Sequence, residues 1–145
     1  NARAFVLSPS GDPDLLPVTR EIIAAAPECP GWEFHPAKPV KRWDRIILIE
    51  NRDGTTAAVD VSNARYVLLR HTDGMCTVLI ADQQLSELPA EQQRTAAEIL
   101  LDGELGEELR MTAICEVDVQ RELDNHNASA VTAIEHIREH VLSLK

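Results

Sequence analysis

Between Ile46 and Ala81 the chain punctuates short apolar runs with turn chemistry, and this limits its folding options more than any other feature. Ile46 to Ile49 is apolar, and Asn51-Arg52-Asp53-Gly54 is a turn. Thr55 to Val61 alternates loosely before Ser62-Asn63 turns again. Tyr66 to Leu69 is apolar, Thr72-Asp73-Gly74 turns, and Met75 to Ala81 is apolar. Asp-Gly between such runs is a strong hairpin signal, because glycine takes the positive φ that the tight turn needs. Four consecutive strands with short connections are expected to be antiparallel. Several runs are nearly continuous in apolar residues, so parts of both sheet faces should be covered.

The flanks add helices. Ala4 to Leu7 reads as a first strand. Asp14 is the expected N-cap of a helix with Pro17 in its first turn, where a missing N–H costs nothing. Leu15, Val18, Ile22 and Ile23 give that helix one apolar face, expected to point at the core. Pro27 stops it. Pro27, Pro30, Pro36 and Pro39 crowd four prolines into thirteen residues, so Glu28 to Lys41 reads as extended and irregular. Pro89 to about Leu101 is rich in helix formers, with Ala96, Ala97, Leu100 and Leu101 as its stripe. Gly103 and Gly106 end that helix or break it into a second short one. Met111, Ala113, Cys115, Val117 and Val119 alternate with polar residues, as in a half-buried strand, Ile114 being the exception. A polar break at Asp124 to Asn127 precedes a last helix from about Ala128 to Leu144. The expected fold is therefore α+β: a mostly antiparallel five- to seven-stranded sheet with two or three helices packed on one face.

The 145 residues suit a single domain, 1–145, long enough to stand on a hydrophobic core. Aromatic residues are only 3%, so that core must be built from Leu, Ile, Val and Ala. Asn1-Ala2 reads as the remnant of a cleaved expression tag, and the expected compartment is the cytoplasm. No segment approaches the apolar length of a membrane span. The net charge of −10, without a basic stripe, argues against nucleic acid and anionic membranes as partners. It favours another protein with a basic surface, or self-association. Three cysteines, Cys29, Cys76 and Cys115, none in C-x-x-C spacing, argue against a disulfide framework or structural zinc. Cys76 and Cys115 read as core residues and Cys29 as a loop residue.

Two patches look familiar. Ala26-Pro27-Glu28-Cys29-Pro30-Gly31-Trp32-Glu33-Phe34, followed by Lys38-Pro39, spells A-P-x-x-x-G-W-x-F-x-x-x-K-P. Leu101-Asp102-Gly103-Glu104-Leu105-Gly106-Glu107 spells L-D-x-x-L-G-E. Together they resemble an uncharacterised family of small bacterial proteins, a domain of unknown function. The resemblance implies an α+β domain and no activity, cofactor or site residue.

Candidate chemistry is sparse. His136 and His140 stand at i, i+4 in an H-x-x-E-H spelling, the spacing of a helical metal pair. They fall outside the stripe Ala130, Ile134, Ile137, Val141 and Leu144, and read as the wet flank of a terminal helix. Asp102, Glu104, Glu107 and Glu108 surround two glycines but lack the residue order of a calcium loop. Glu116 and Asp118 share the wet face of one strand and read first as a plain charged face, although the spacing also suits paired carboxylates doing acid–base work. Trp32 and Phe34 should point to one side of an extended segment and cover an end of the core. With His35 they also form a candidate ligand pocket, which His71, ending a strand near a turn, could join. Nucleophile elbows and phosphate-cradling glycine loops are missing, and no cofactor is expected. The first expectation for function is a non-enzymatic protein-interaction module working through its acidic surface or a sheet edge. The alternatives are a small metal-dependent hydrolase using His136 and His140 or Glu116 and Asp118, and a small-ligand-binding protein using Trp32, Phe34 and His35.

Overall fold

A computed structural model describes residues 2–123 and 131–145. The first strand, β1 (Arg3–Val6), leads through a 3₁₀ turn (Pro13–Leu15) into α1 (Leu16–Ala24). The Asp12 side chain, rather than Asp14, caps this start by accepting from the Asp14 N–H at 2.9 Å. The proline-rich stretch contains a strand, β2 (Trp32–His35), paired parallel with β1. This departs from the irregular stretch expected there, since the alternation is only four residues long and prolines flank it.

The hairpins form as expected. β3 (Ile46–Glu50) pairs antiparallel with β4 (Thr56–Asp60), and β5 (Arg65–Arg70) pairs antiparallel with β6 (Cys76–Ala81). Gly54 and Gly74 take φ of 84° and 86° in the two turns, where other residues would be strained. The single antiparallel sheet of five to seven strands does not form. Strands divide into β1-β2, β3-β4 and a four-stranded sheet ordered β7-β6-β5-β8.

The division is made at the corner between β4 and β5. The Val61 N–H donates to the Arg45 carbonyl before β3, while the Ile134 N–H donates to the Ala64 carbonyl. Corner residues thus bond in two directions, and β5 turns away from β4. The free edge of β5 takes β8 (Thr132–Ala133), and that of β6 takes β7 (Ile114–Gln120). β7 runs parallel to β6, so all-antiparallel pairing fails here too. Its crossover carries α2 (Gln83–Ser86), α3 (Ala90–Leu105) and α4 (Glu107–Ala113), as a parallel connection requires.

The core lies between α3 and the strands. Leu100 and Leu101 of α3 meet Ile47 and Val59 of the β3-β4 hairpin, Tyr66, Val78 and Ile80 of the four-stranded sheet, and Leu85 of α2 in one buried cluster. Ile137 and Val141 of α5 (Ile137–Ser143) close it. With five α-helices among the described residues, the count exceeds the expected two or three. The expected strand from Met111 is helical as far as Ala113, because Met111 and Ala113 serve as the buried side of α4. Ile114 then opens β7 as a buried residue, and a register shift between Cys76 and Thr77 leaves Cys115 exposed instead of in the core. The polar break at 124–127 and the helix start near Ala128 lie outside the described residues. α5 proper begins at Ile137, after a 3₁₀ turn from Ile134 to His136. No helix among the described residues is long and apolar enough to cross a membrane.

Candidate interaction surface

The seven residues Leu101–Glu107 are all buried, acidic ones included. A buried carboxylate needs a cation or several donors, and each acidic side chain finds its own. Glu104 receives the Arg45 guanidinium and, at 3.3 Å, the Trp43 indole N–H. Asp102 receives Arg110, which also reaches Glu98 at 3.2 Å. Burial pushes the Asp102 carboxyl above its ordinary range, and Arg110 works against that. Glu107 is 1% exposed; the Ser8 hydroxyl lies 2.9 and 2.8 Å from its two oxygens, and the Lys38 N–H donates to it at 3.1 Å. Glu108 sits nearer the surface and pairs with Arg20. The four acidic side chains therefore radiate to separate partners. It acts as a clamp holding β1, the proline-rich strap and α1 to the α3–α4 corner.

The two motif patches touch in this clamp. The Glu107 N–H donates to the Lys38 carbonyl at 2.9 Å, and the Lys41 N–H to the Gly103 carbonyl at 2.8 Å. Gly106, at φ 80°, separates α3 from α4.

The histidines come apart in role. His136 is exposed, 3.4 Å from the Glu135 carboxylate. His140 turns inward, and its Nδ1 lies 3.0 Å from the hydroxyl of the fully buried Tyr66. Among the described residues, no three His, Cys, Asp or Glu side chains are grouped so as to hold an ion. His71 bonds the Thr77 hydroxyl at 2.7 Å. Burial raises the Tyr66 phenol above its usual value near 10, against a hydrogen bond from Thr132 that lowers it. Since its folded pKa exceeds the unfolded one, the neutral phenol's contribution to stability is lost as pH climbs from the unfolded value through the raised one. Tyr66 is the sole tyrosine. Difference absorbance of tyrosinate against pH is therefore expected to show one transition, above that of a model peptide and coincident with loss of circular dichroism. A transition at the model-peptide position in still-folded protein would contradict the buried placement.

Glu116 and Asp118 are exposed on β7, beside a groove of about 480 Å³ between β7 and α3. Trp32 and Phe34 do share one side of β2, as the alternation predicts. They do not cover the core: Trp32 is 44% exposed, with the Arg3 guanidinium 5.8 Å over its ring. Phe34 pairs with the exposed Phe5 ring at 5.8 Å. His35 lies on the other side, 3.4 Å from Glu33. A cleft of about 460 Å³ next to the rings is lined by Ile23, Cys29, Pro30, Trp32 and Phe34.

The main departure from expectation is α1. Leu15, Val18 and Ile22 are 45, 48 and 54% exposed, while Leu16 and Thr19 are the buried residues of the helix. Polar contacts set this rotation. The Thr19 hydroxyl lies 2.7 Å from the Pro36 carbonyl and 3.0 Å from that of Leu16, and Arg20 pairs with Glu108. At about 100° per residue, docking through Leu16, Thr19 and Arg20 leaves Leu15, Val18 and Ile22 on a separate outward stripe. Periodicity alone missed this, since an apolar stripe looks the same whether it meets its own core or a partner. The one sequence signal was Thr19 in the middle of the opposite flank.

No family model, curated protein or solved structure matches the chain. The functional reading therefore rests on the chain's own surface.

Proposed function

We propose that this chain is a non-enzymatic protein-interaction module whose N-terminal β1–α1–β2 unit docks a partner protein with a basic rim. The carrying observation is the solvent-facing stripe Leu15, Val18 and Ile22. Phe5 and Trp32 stand exposed on the same unit and add to its solvent-facing apolar residues. Exposed rings and aliphatic stripes of this kind supply the apolar centre of an interface. Asp12, Asp14, Glu21, Glu28 and Glu33 belong to the same unit. Its cations are Arg3, laid over Trp32, and Arg20, paired with Glu108. That balance, within a chain of net charge −10, complements a basic partner and disfavours a second copy of the same acidic surface.

The candidate metal ligands support this reading over metal-dependent hydrolysis. His140 is held by Tyr66, His136 stands apart in solvent, and Asp102, Glu104 and Glu107 are taken up by protein partners.

A photo-crosslinking side chain in place of Val18 identifies the partner, and calorimetry with that purified protein tests the surface. Val18→Asp together with Ile22→Asp is expected to weaken binding roughly tenfold or more, with an unchanged melting temperature. Added salt is expected to weaken the parent complex. Unaltered affinity in the double variant would overturn the reading, as would a crosslink only to a second copy of this chain.

A further inference from the structure

We propose a second docking site, the outer edge of β7, which takes an extended segment of a partner protein as an added strand, with basic side chains alternating with apolar ones. It uses other residues and another observation than the α1 surface.

β7 ends the four-stranded sheet and pairs with β6 alone among the described residues. The Gln120 carbonyl accepts from the Asp82 N–H at 3.0 Å, on the β6 side. Backbone groups alternate in direction along a strand, so Gln120, Asp118 and Glu116 turn theirs toward β6. The N–H and C=O groups of Val117 and Val119 then point away from the sheet. These groups form a template for strand addition, in which main-chain bonds supply affinity and alternate side chains supply specificity.

The two sides of that edge differ. On the α3 side lies the groove of about 480 Å³, whose lining joins the apolar Ala97, Leu101, Ile114, Val117 and Val119 to the charged Arg94, Glu98 and Arg110. Apolar side chains of an added strand would lie against Val117 and Val119 there. Glu116 and Asp118, which also border that groove, stand exposed at successive positions on the other face of the strand. Every second side chain of the added strand would lie beside one of them, and a lysine or arginine there is complemented while a carboxylate is repelled. The same repulsion excludes a second copy, since pairing β7 with β7 would set four carboxylates along one seam.

Hydrogen exchange of the full chain, followed by NMR at each amide, tests this with a synthetic peptide of alternating lysine and valine. The Val117 and Val119 amides are expected to slow roughly tenfold or more at saturating peptide. A glutamate–valine peptide, and a lysine–valine peptide N-methylated on its edge-facing amides, should leave them unchanged. Glu116→Lys with Asp118→Lys should reverse the choice between the lysine and glutamate peptides without altering the melting temperature. No slowing, equal slowing by both charge types, or protection confined to other strands would each overturn the proposal. Because Val18 and Ile22 take no part, the Val18→Asp/Ile22→Asp variant should bind the peptide as the parent does.

Discussion

Glu107→Ala is expected to remove about 3 kcal/mol of stability and to loosen the N-terminal unit before the rest of the chain. The size follows from what is left behind. The Ser8 hydroxyl and the Lys38 N–H lose their acceptor inside the fold, and an unmade buried hydrogen bond costs about 1–3 kcal/mol. The Lys38 ammonium, 3.9 Å from Glu107 with a half-exposed side chain, returns to water and adds little. The location follows from the connections: Ser8 comes just after β1 and Lys38 just after β2, so one carboxylate ties both strands to α4. Amide exchange in Arg3–Val6 and Trp32–His35 should therefore quicken more than in β5 and β6. Glu107→Gln keeps one acceptor oxygen and is expected to lose about half as much. Uniform loss of protection across the chain, or a cost below about 1 kcal/mol, would show that the clamp is not what holds the unit.

Gly103→Ala is expected to destabilise by about 2 kcal/mol, opposite in sign to the usual effect inside a helix. Alanine in mid-helix normally gains about 1 kcal/mol over glycine. At Gly103 the added Cβ would lie 2.7 Å from Cζ2 and 2.9 Å from Cε2 of Trp43. That ring cannot swing away freely. Its indole N–H reaches Glu104, and the Lys41 ammonium sits 5.2 Å over its face. Overpacking of this kind costs about 1–3 kcal/mol. In a Trp43→Leu background the clash is relieved, and the same Gly103→Ala change is expected to become neutral or stabilising. Thermal melts of the four proteins in that cycle measure the coupling. A stabilising Gly103→Ala in the parent chain would mean that the indole does not lie on the helix backbone.

Both substitutions fall where the two familiar patches meet, and this gives those patches a physical meaning the spelling lacks. The strap from Lys38 to Trp43 lies along Gly103–Glu107, and small residues and buried carboxylates are what let it lie there. The spelling shows the patches and their glycines, while the carboxylates stand out in it only as an acidic cluster without the order of a calcium loop. Four acidic residues near two glycines look solvated until partners arrive from Ser8, Lys38 and Arg45, each 59 or more positions away. The candidate surfaces divide in the same manner. Glu116, Asp118 and Trp32 were visible as residues with a facing. That β7 is an edge, and that α1 turns its stripe outward, depends on what other segments cover.

Local chemistry alone determined the two hairpins and a helix from Pro89 to about Leu101, because turn geometry and helix propensity act within a few residues; that the helix runs on through Gly103 and breaks at Gly106 was settled by packing. Only the tertiary structure decided how β4 and β5 part, that β7 returns parallel to β6, and which side of α1 meets water. Those outcomes depend on hydrogen bonds between distant segments: Val61 with Arg45, Ile134 with Ala64, Thr19 with Pro36. A one-dimensional pattern records which residues prefer burial. Which surface does the burying is settled by competition among all the segments in three dimensions.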